Sequence, residues 1–429
     1  MSGLDDSTRP SPCLGPHAKN NLKVELQQRP PTQMTALRLA LANLLHERGR
    51  TAISVVGAAF AVVLVFMQLG FLGSVENTAT LLYGKMRFDL LITSSEYIDM
   101  SRPGSVDRAR LAQAESAAGV KEVLPVSLGT GVWRNPTDDP QRGRKLWQLS
   151  MVGIDPGTLD RVFLPPNEGG VFPNDADQRD ARVLLGQLDS VLLDRRSKPY
   201  FGNPGEMPPG TETELNGRRV HLAGYFQAGT GFSYNGLLLM NEETFAKFTG
   251  RSNRNVSFGL VTLQAGEEPD AAAKRLRSVL PTDVQVYSRA DMEAGERSYW
   301  VNKTAVGKFF YFGVLLAITV GAIFIYQMMV ADIKKHMPEY ATLKAMGYRF
   351  GFLFRVVVNQ ALFLAIGGYS IGLVVALGLY ELAILAAALP IGMTWQRVGL
   401  VFVLTVGMCV SSAMLAVRKV RTADPAELF

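Results

Sequence analysis

The sequence contains little charge, few cysteines and few histidines. Charged residues make up 19% of its 429 residues, against roughly 25% in soluble domains. The two cysteines, Cys13 and Cys409, exclude a disulfide scaffold, and the four histidines lack the spacing of a metal site. No G-x-x-x-x-G-K-[ST] motif is present, which excludes a P-loop nucleotide site. The net charge of +6 is too small to indicate nucleic-acid binding.

What the sequence does contain is four long apolar runs, at residues 53–72, 309–330, 356–380 and 398–417. As a helix, the first run is about 30 Å long, which matches the hydrocarbon core of a bilayer. It is also too long for the apolar part of a signal peptide. The runs therefore predict four transmembrane helices, at about 51–77, 305–331, 353–381 and 397–418.

Lysines and arginines are concentrated beside three of the predicted membrane ends. They precede the first span, lie between the second and third spans, and follow the fourth; examples are Arg50, Lys334, Lys335 and Arg418. Basic residues of this kind mark the cytoplasmic side. We therefore expect a multi-pass protein of the inner (cytoplasmic) membrane, with both termini cytoplasmic and the segment between the first two spans facing outward.

The remaining segments divide into a tail, a surface helix and an outer domain. Residues 1–33 are predicted to be a disordered tail, residues 34–50 an amphipathic helix on the inner membrane surface, and Met34 is a candidate start. Residues 78–300 are predicted to form an α+β extracytoplasmic domain. Seven strands are expected, at 88–92, 120–128, 146–154, 219–226, 237–240, 256–263 and 284–287, with helices at 105–117, 242–248 and 269–280. Residues 157–216 look like a loop-rich insertion, which favours two subdomains.

One motif resembles a catalytic site. Residues 368–372 match G-x-S-x-G, the nucleophile elbow of serine hydrolases. That elbow needs a strand-to-helix turn, whereas this stretch lies within an apolar run. Its two glycines, Gly368 and Gly372, also form G-x-x-x-G, which lets membrane helices approach closely. Helix packing is therefore the preferred interpretation.

Polar residues inside the predicted spans are few. Gln68, Gln327, Asn359 and Gln360 are expected to bond between helices rather than to line a polar path. Nothing in these runs resembles a proton relay or a row of ion ligands. This scarcity argues against an ion-coupled transporter.

The loop after the second span contains a short predicted helix, at residues 338–347. Pro338 suits the first turn of a helix, Glu339 suits its positive end, and Gly347 permits a turn before the chain re-enters the membrane. Such a helix either docks a cytoplasmic partner or lies on lipid. The residues by themselves leave both alternatives open.

Residues 298–348 resemble DevC-type ABC exporter permeases, members of the FtsX-like/MacB permease family. The similar pieces are TAVG, the run ending in IYQ, HMPEYATLKAMGY and the terminal ADPAELF. In span order and layout the likeness extends over residues 34–429, with 301–429 as the FtsX-like permease domain and 78–300 as a MacB-like periplasmic domain. One departure is Gln360, where related permeases often carry an acidic residue.

The resemblance implies a permease subunit that is not an enzyme and binds no cofactor or metal itself, because ATP is used by a separate cytoplasmic ABC ATPase. It implies a homodimer that works with a periplasmic membrane-fusion adaptor and an outer-membrane channel to export a lipid-like or hydrophobic substrate. An FtsX-like regulator of a periplasmic cell-wall hydrolase is the alternative. The residues expected to seat the coupling helix on the ATPase are Glu339, Tyr340, Leu343, Lys344, Met346 and Gly347.

Overall fold

The computed structural model describes residues 36–46, 48–138, 145–231, 234–339, 342, 346, 349–387 and 390–421. The predicted tail, 1–33, lies outside these residues. The chain forms two compact units. Of the residues that the structure describes, those within Met1–Phe60, Val320–Ile371 and Val403–Phe429 form the first unit, given the label inner unit, and those within Ala61–Thr319 and Gly372–Phe402 form the second, given the label outer unit.

The first two helices are α1 (Ala36–His46) and α2 (Arg48–Ala79). Helix α1 is amphipathic, with Ala40 buried and Leu37, Leu41 and Leu45 exposed. Helix α2 is the first span, and its 32 residues make a helix of about 48 Å, longer than a bilayer core. It begins three residues before the predicted start of the span.

The segment between α2 and the second span folds into an α+β domain. Its strands and helices follow in chain order: β1 (Leu90–Ser94), β2 (Val106–Asp107), α3 (Arg108–Glu115), β3 (Val120–Arg134), β4 (Leu146–Ile154), α4 (Leu159–Val162), α5 (Asp175–Leu185), β5 (Ser190–Asp194), β6 (Thr211–Leu215), β7 (Arg218–Phe226), β8 (Leu237–Asn241), α6 (Glu242–Thr249), β9 (Asn255–Val256), β10 (Phe258–Leu263), α7 (Pro269–Val279), β11 (Val284–Ser288) and α8 (Arg289–Ser298).

Nine of the strands form one mixed sheet in the order β11-β1-β10-β3-β4-β8-β5-β7-β6. Most neighbours are antiparallel, while β4–β8 and β5–β7 are parallel. The 15-residue strand β3 joins the two halves, because its first part pairs with β10 and its second part with β4. Helix α7 covers one half of the sheet by burying Ala272, Ala273 and Leu276.

Two expectations for this domain need correction, the content of residues 157–216 and the length of the first helix. Residues 157–216 contain regular elements that the loop-rich interpretation did not include, namely α4, α5, β5 and β6. One continuous sheet runs through the domain, and β3 joins its two halves. The expected helix over 105–117 is shorter, since Val106 and Asp107 pair with β9 and the Asp107 side chain then accepts a bond from the Ala109 N–H to cap α3.

The chain ends with the three other spans, α9 (Ala305–Lys335), α10 (Phe350–Ala387) and α11 (Trp395–Arg421). With α2 they give four helices that are long and apolar enough to cross a membrane. The predicted architecture, four membrane helices with a large domain between the first two, is confirmed. Each helix extends beyond its predicted bounds, because hydropathy detects only the part that lies in hydrocarbon.

Candidate functional site

The predicted coupling residues follow the inner end of α9. Met337–Glu339 are helical, and Thr342 and Met346 make helical contacts, from Thr342 Oγ1 to the Pro338 carbonyl (2.9 Å) and from the Met346 N–H to the Thr342 carbonyl (3.0 Å). The other four coupling candidates, Tyr340, Leu343, Lys344 and Gly347, lie outside the described residues. A coupling helix over 338–347 stays a prediction.

His336 connects this segment to the end of α9. The residue is 4% exposed, its Nδ1–H donates to Glu339 Oε2 (3.1 Å), and its Nε2 lies 3.8 Å from Asp332 Oδ1. The Glu339 side chain is 60% exposed. One end of this cluster is therefore exposed, while the other end lies in the membrane helix.

Asp332 also borders a small polar cavity in the inner unit, of about 20 Å³, where α1, α2, α9 and α10 converge. Gln360 of α10 lines it and is 1% exposed. Neither atom of its side-chain amide has a hydrogen-bond partner among the described residues, and the same holds for Asn43 Nδ2 from α1. The volume suffices for one water molecule. Orphaned buried amides are costly, so their presence at a helix junction points to function.

The inner unit is tightly packed around this cavity. A side chain at Gly57 of α2 would overlap the Phe324 ring of α9, and a Cβ at Gly368 of α10 would lie 2.5 Å from the Ala58 Cβ. Ser412 of α11 donates to the Ala322 carbonyl of α9 (2.9 Å). Gly368 thus lies at a close contact between α10 and α2, and Gly372 is buried; a shared packing role for the two glycines stays a prediction. Between them, Ser370 donates to the Ile366 carbonyl (2.8 Å) within α10, so no nucleophile elbow is present at this serine.

A second cluster lies in the outer unit, where α8 leads into α9. The connection between α8 and α9, here called the joint, is a single π-helical turn, Tyr299–Lys303. A side chain at Gly307 would overlap the Val301 carbonyl, so α9 begins tightly against this turn. Turns of the π type are frequent at functional sites. The joint therefore has a defined shape rather than that of a loose linker.

The loop after β1 holds this joint. The Tyr83 hydroxyl donates to Tyr97 (2.7 Å), which in turn donates to Glu296 Oε1 of α8. Arg102 makes two bonds to Asp99 Oδ2, at 2.7 and 3.1 Å, and donates to the Tyr299 hydroxyl. Both contacts with α8 and the turn join residues almost 200 positions apart. The sequence offered no signal for them.

Glu296 is the buried acid of this cluster, with 2% exposure. Burial raises its pKa to about 7, the hydrogen bond from Tyr97 opposes that rise, and repulsion from Asp99 adds to it. Oε2 has no hydrogen-bond partner among the described residues. The joint between the outer domain and α9 therefore contains a carboxyl group that changes charge near neutral pH.

Comparison with known proteins identifies two domains. The model of the FtsX-like permease C-terminal domain matches residues 311–425, and that of the MacB-like periplasmic core domain matches residues 51–279. No curated protein sequence matches the chain.

Among the solved structures that are similar to the chain, two represent the inserted domain. The periplasmic region of MacB from Actinobacillus actinomycetemcomitans is 13% identical, with a TM-score of 0.33 over 50% of this chain and 94% of that one. The extracellular domain of the noncanonic ABC-type transporter YknZ from Gram-positive bacteria is 16% identical, with a TM-score of 0.32 over 47% of this chain and 99% of that one. Since the MacB-like domain model alone matches more than half of the residues, the chain belongs to the family of FtsX-like and MacB-like ABC permeases.

Proposed function

We propose that the chain is the membrane subunit of a DevC-type ABC export system, which passes ATP-driven motion from a separate ATPase to the outer domain. The link from the exposed Glu339 through the buried His336 to Asp332 carries this proposal. Membership of the family implies an ABC ATPase partner, and the sequence has no P-loop of its own. ATP is accordingly used by that partner.

The proposed motion starts at Glu339. An ATPase that displaces this side chain also displaces His336 and, through Asp332, the end of α9. Helix α9 is continuous from Ala305 to Lys335, a stiff element of about 46 Å. At its other end it begins after the π-helical turn that Arg102 holds. A displacement of α9 is thereby transferred to the outer domain without any passage of cargo between the helices.

The proposed setting is the inner membrane, with cytoplasmic termini. Arg48 and Arg50 open α2, and Lys334 and Lys335 close α9, which supports a cytoplasmic position for these helix ends. We further propose two copies of the chain with two copies of the ATPase, joined by a periplasmic adaptor and an outer-membrane channel. The proposed cargo is lipid-like or hydrophobic.

The proposal is tested with Glu339→Gln, which removes the charge at the exposed end of the link. Full-length chain is purified with its cognate ABC ATPase, and export is measured as the lipid content of the outer membrane in a complemented deletion strain. We expect export to fall while the chain still reaches the membrane. Glu381→Gln, at an exposed carboxylate of α10, is the matched control and leaves export unchanged.

Two results would contradict the proposal. The first is normal ATPase association and normal export in Glu339→Gln. The second is unchanged lipid export after deletion of the gene, together with a loss of cell-wall hydrolysis, which would favour the FtsX-like regulator instead.

A further inference from the structure

The outer unit contains a cavity of about 310 Å³, here called the outer cavity, between the inserted domain and the ends of membrane helices. Leu81 follows the end of α2 by two residues, Leu385 lies in the last turn of α10, and Pro390 lies in the connection to α11. These three residues place the cavity at the depth of lipid headgroups, on the side of the membrane that carries the inserted domain.

One wall of the outer cavity is basic. Arg195, Arg196 and Lys198 line it from the turn that follows β5. Both arginines are exposed, and neither has a salt bridge to a carboxylate in the part of the chain that the structure describes. The Arg195 guanidinium lies 5.2 Å from the centre of the Tyr225 ring, which orients it without reducing its charge.

The positive charge of this wall acts on its surroundings. Lys85, whose Nζ donates to the Gly169 carbonyl (2.6 Å), has a pKa that burial lowers and that the charge of Arg196 lowers further. The acid nearest in sequence, Asp194, is 1% exposed and raises that pKa by less than Arg196 lowers it. The lining carries three cationic side chains and the nearest acid in sequence is a single buried carboxylate, so an anion entering the cavity meets a net positive charge.

Another part of the lining is apolar. It is formed by Leu81, Leu385 and Pro390, and Leu385 is 82% exposed. Exposure of leucine at a helix end beside a bilayer suits contact with acyl chains. Cations on one part of the lining and aliphatic side chains on another match a molecule with an anionic head and an apolar tail.

The cavity is built by the fold rather than left between loose loops. The Asp194 carboxylate accepts hydrogen bonds from the backbone N–H groups of Arg196 (3.0 Å), Ala228 (3.2 Å) and Gly229 (2.7 Å). One buried acid thereby fixes both loops that line the basic wall. Gly229 has a φ of +103°, a conformation that other residues rarely adopt, and a Cβ at this position would lie 3.0 Å from Leu81 Cδ2.

We infer that the outer cavity binds the anionic headgroup of an amphiphile from the leaflet facing the inserted domain, with its apolar tail on Leu81 and Leu385. On the basis of the proposed function, this amphiphile is the exported cargo at its point of entry. The substrate class is then narrowed from lipid-like molecules to those with a phosphate or carboxylate head.

Binding is tested by native mass spectrometry of the detergent-purified full-length chain with dioleoylphosphatidylglycerol, dioleoylphosphatidylcholine or inorganic phosphate as probes. We expect the chain to prefer phosphatidylglycerol. The double variant Arg195→Gln/Arg196→Gln should weaken that binding by roughly thirtyfold, about a tenfold effect or less from each charge. Arg218→Gln/Arg219→Gln, a neighbouring arginine pair on β7 with the same charge change, should have no effect.

Leu385→Asp provides a second variant, on a membrane helix far along the chain from the arginines, in case the double variant unfolds. It should also abolish the preference for phosphatidylglycerol. Retention of the preference in both variants would overturn the inference. Equal competition by inorganic phosphate would also overturn it, since the site would then hold a free anion and the apolar wall would have no role.

Measuring export by the same variants shows whether the bound amphiphile is exported cargo or a lipid of the bilayer. If the cavity admits cargo, export falls together with phosphatidylglycerol binding. Normal export without that binding would show that the cavity holds a bilayer lipid, and would overturn its role in cargo entry. Because binding is measured without the ATPase, failure of the Glu339→Gln test would contradict the proposed function and leave the binding result standing.

Discussion

The polar clusters at the two ends of α9 differ in burial and in the sequence separation of their residues. At the inner end, Asp332, His336 and Glu339 lie within eight residues of one another, and Glu339 is largely exposed. At the outer end, Glu296 is bonded to Tyr97, which is 199 positions away in sequence, and is almost fully buried. The exposed inner cluster fits the proposed contact with the ATPase, whereas the buried outer cluster connects the helix to the domain.

The largest effect is expected from removing the ionisable carboxyl group of the buried Glu296. Burial raises the pKa of Glu296 from its ordinary value of 4.5 to about 7. The folded state then binds more protons than the unfolded state between these values, so stability is full below pH 4.5 and is lost as pH rises through 7. The loss amounts to about 3 kcal/mol.

Glu296→Gln should abolish this pH dependence. We expect the variant to resist denaturant better than the parent at pH 8 and to equal it at pH 4.5, as measured by unfolding midpoints of the full-length chain. Glu268→Gln, at an exposed acid of the same domain, should keep the parental pH dependence. A parental profile in Glu296→Gln would show that another group titrates.

His336 tests the inner cluster. His336→Ala removes a charge-assisted hydrogen bond worth about 2 kcal/mol, so export should fall roughly thirtyfold. His336→Asn keeps an N–H donor near the position of Nδ1 and should restore part of the export. ATPase association measured by co-purification should survive in both. Equal export by the two variants would indicate that His336 only fills space.

Two glycines of α10 test whether close helix packing stabilises the inner unit, because only one of them lies against another helix. Gly368→Ala places a methyl group against Ala58, whereas Gly378→Ala meets nothing within 4 Å. The first should destabilise the helix bundle by about 1–2 kcal/mol, and the second should stabilise α10 slightly, by up to about 1 kcal/mol. Thermal unfolding in detergent gives both values. Equal shifts would contradict the close contact at Gly368.

The smallest change in stability is expected from a substitution of Gln360. Gln360→Met removes the orphaned amide but keeps the side-chain length, and should stabilise the chain by about 1 kcal/mol. If the polar cavity takes part in coupling, export should fall at the same time. A more stable variant with normal export would show that this cavity has no role in transmission.

Sequence alone could predict the features that depend on neighbouring residues, but not those that depend on contacts between distant parts of the chain. Membrane spans and most strands follow from local hydropathy, and the His336 cluster was visible in principle as spacings of four and three residues. Strand β5 was missed because its five residues are all buried and show no alternation. Helix α5 was missed because only Ala181 and Leu185 are buried. The outer cavity could not be predicted, because it brings Arg195 close to Leu81 and Leu385, which are distant in sequence.

The central claim is that α9 carries motion from Glu339 to the joint at Tyr299–Lys303. It is tested most directly by hydrogen exchange of that joint in the complex with the ATPase, with and without ATP. We predict that ATP changes exchange at the joint in the parent chain and not in His336→Ala. An ATP-dependent change of equal size in both chains would contradict the account.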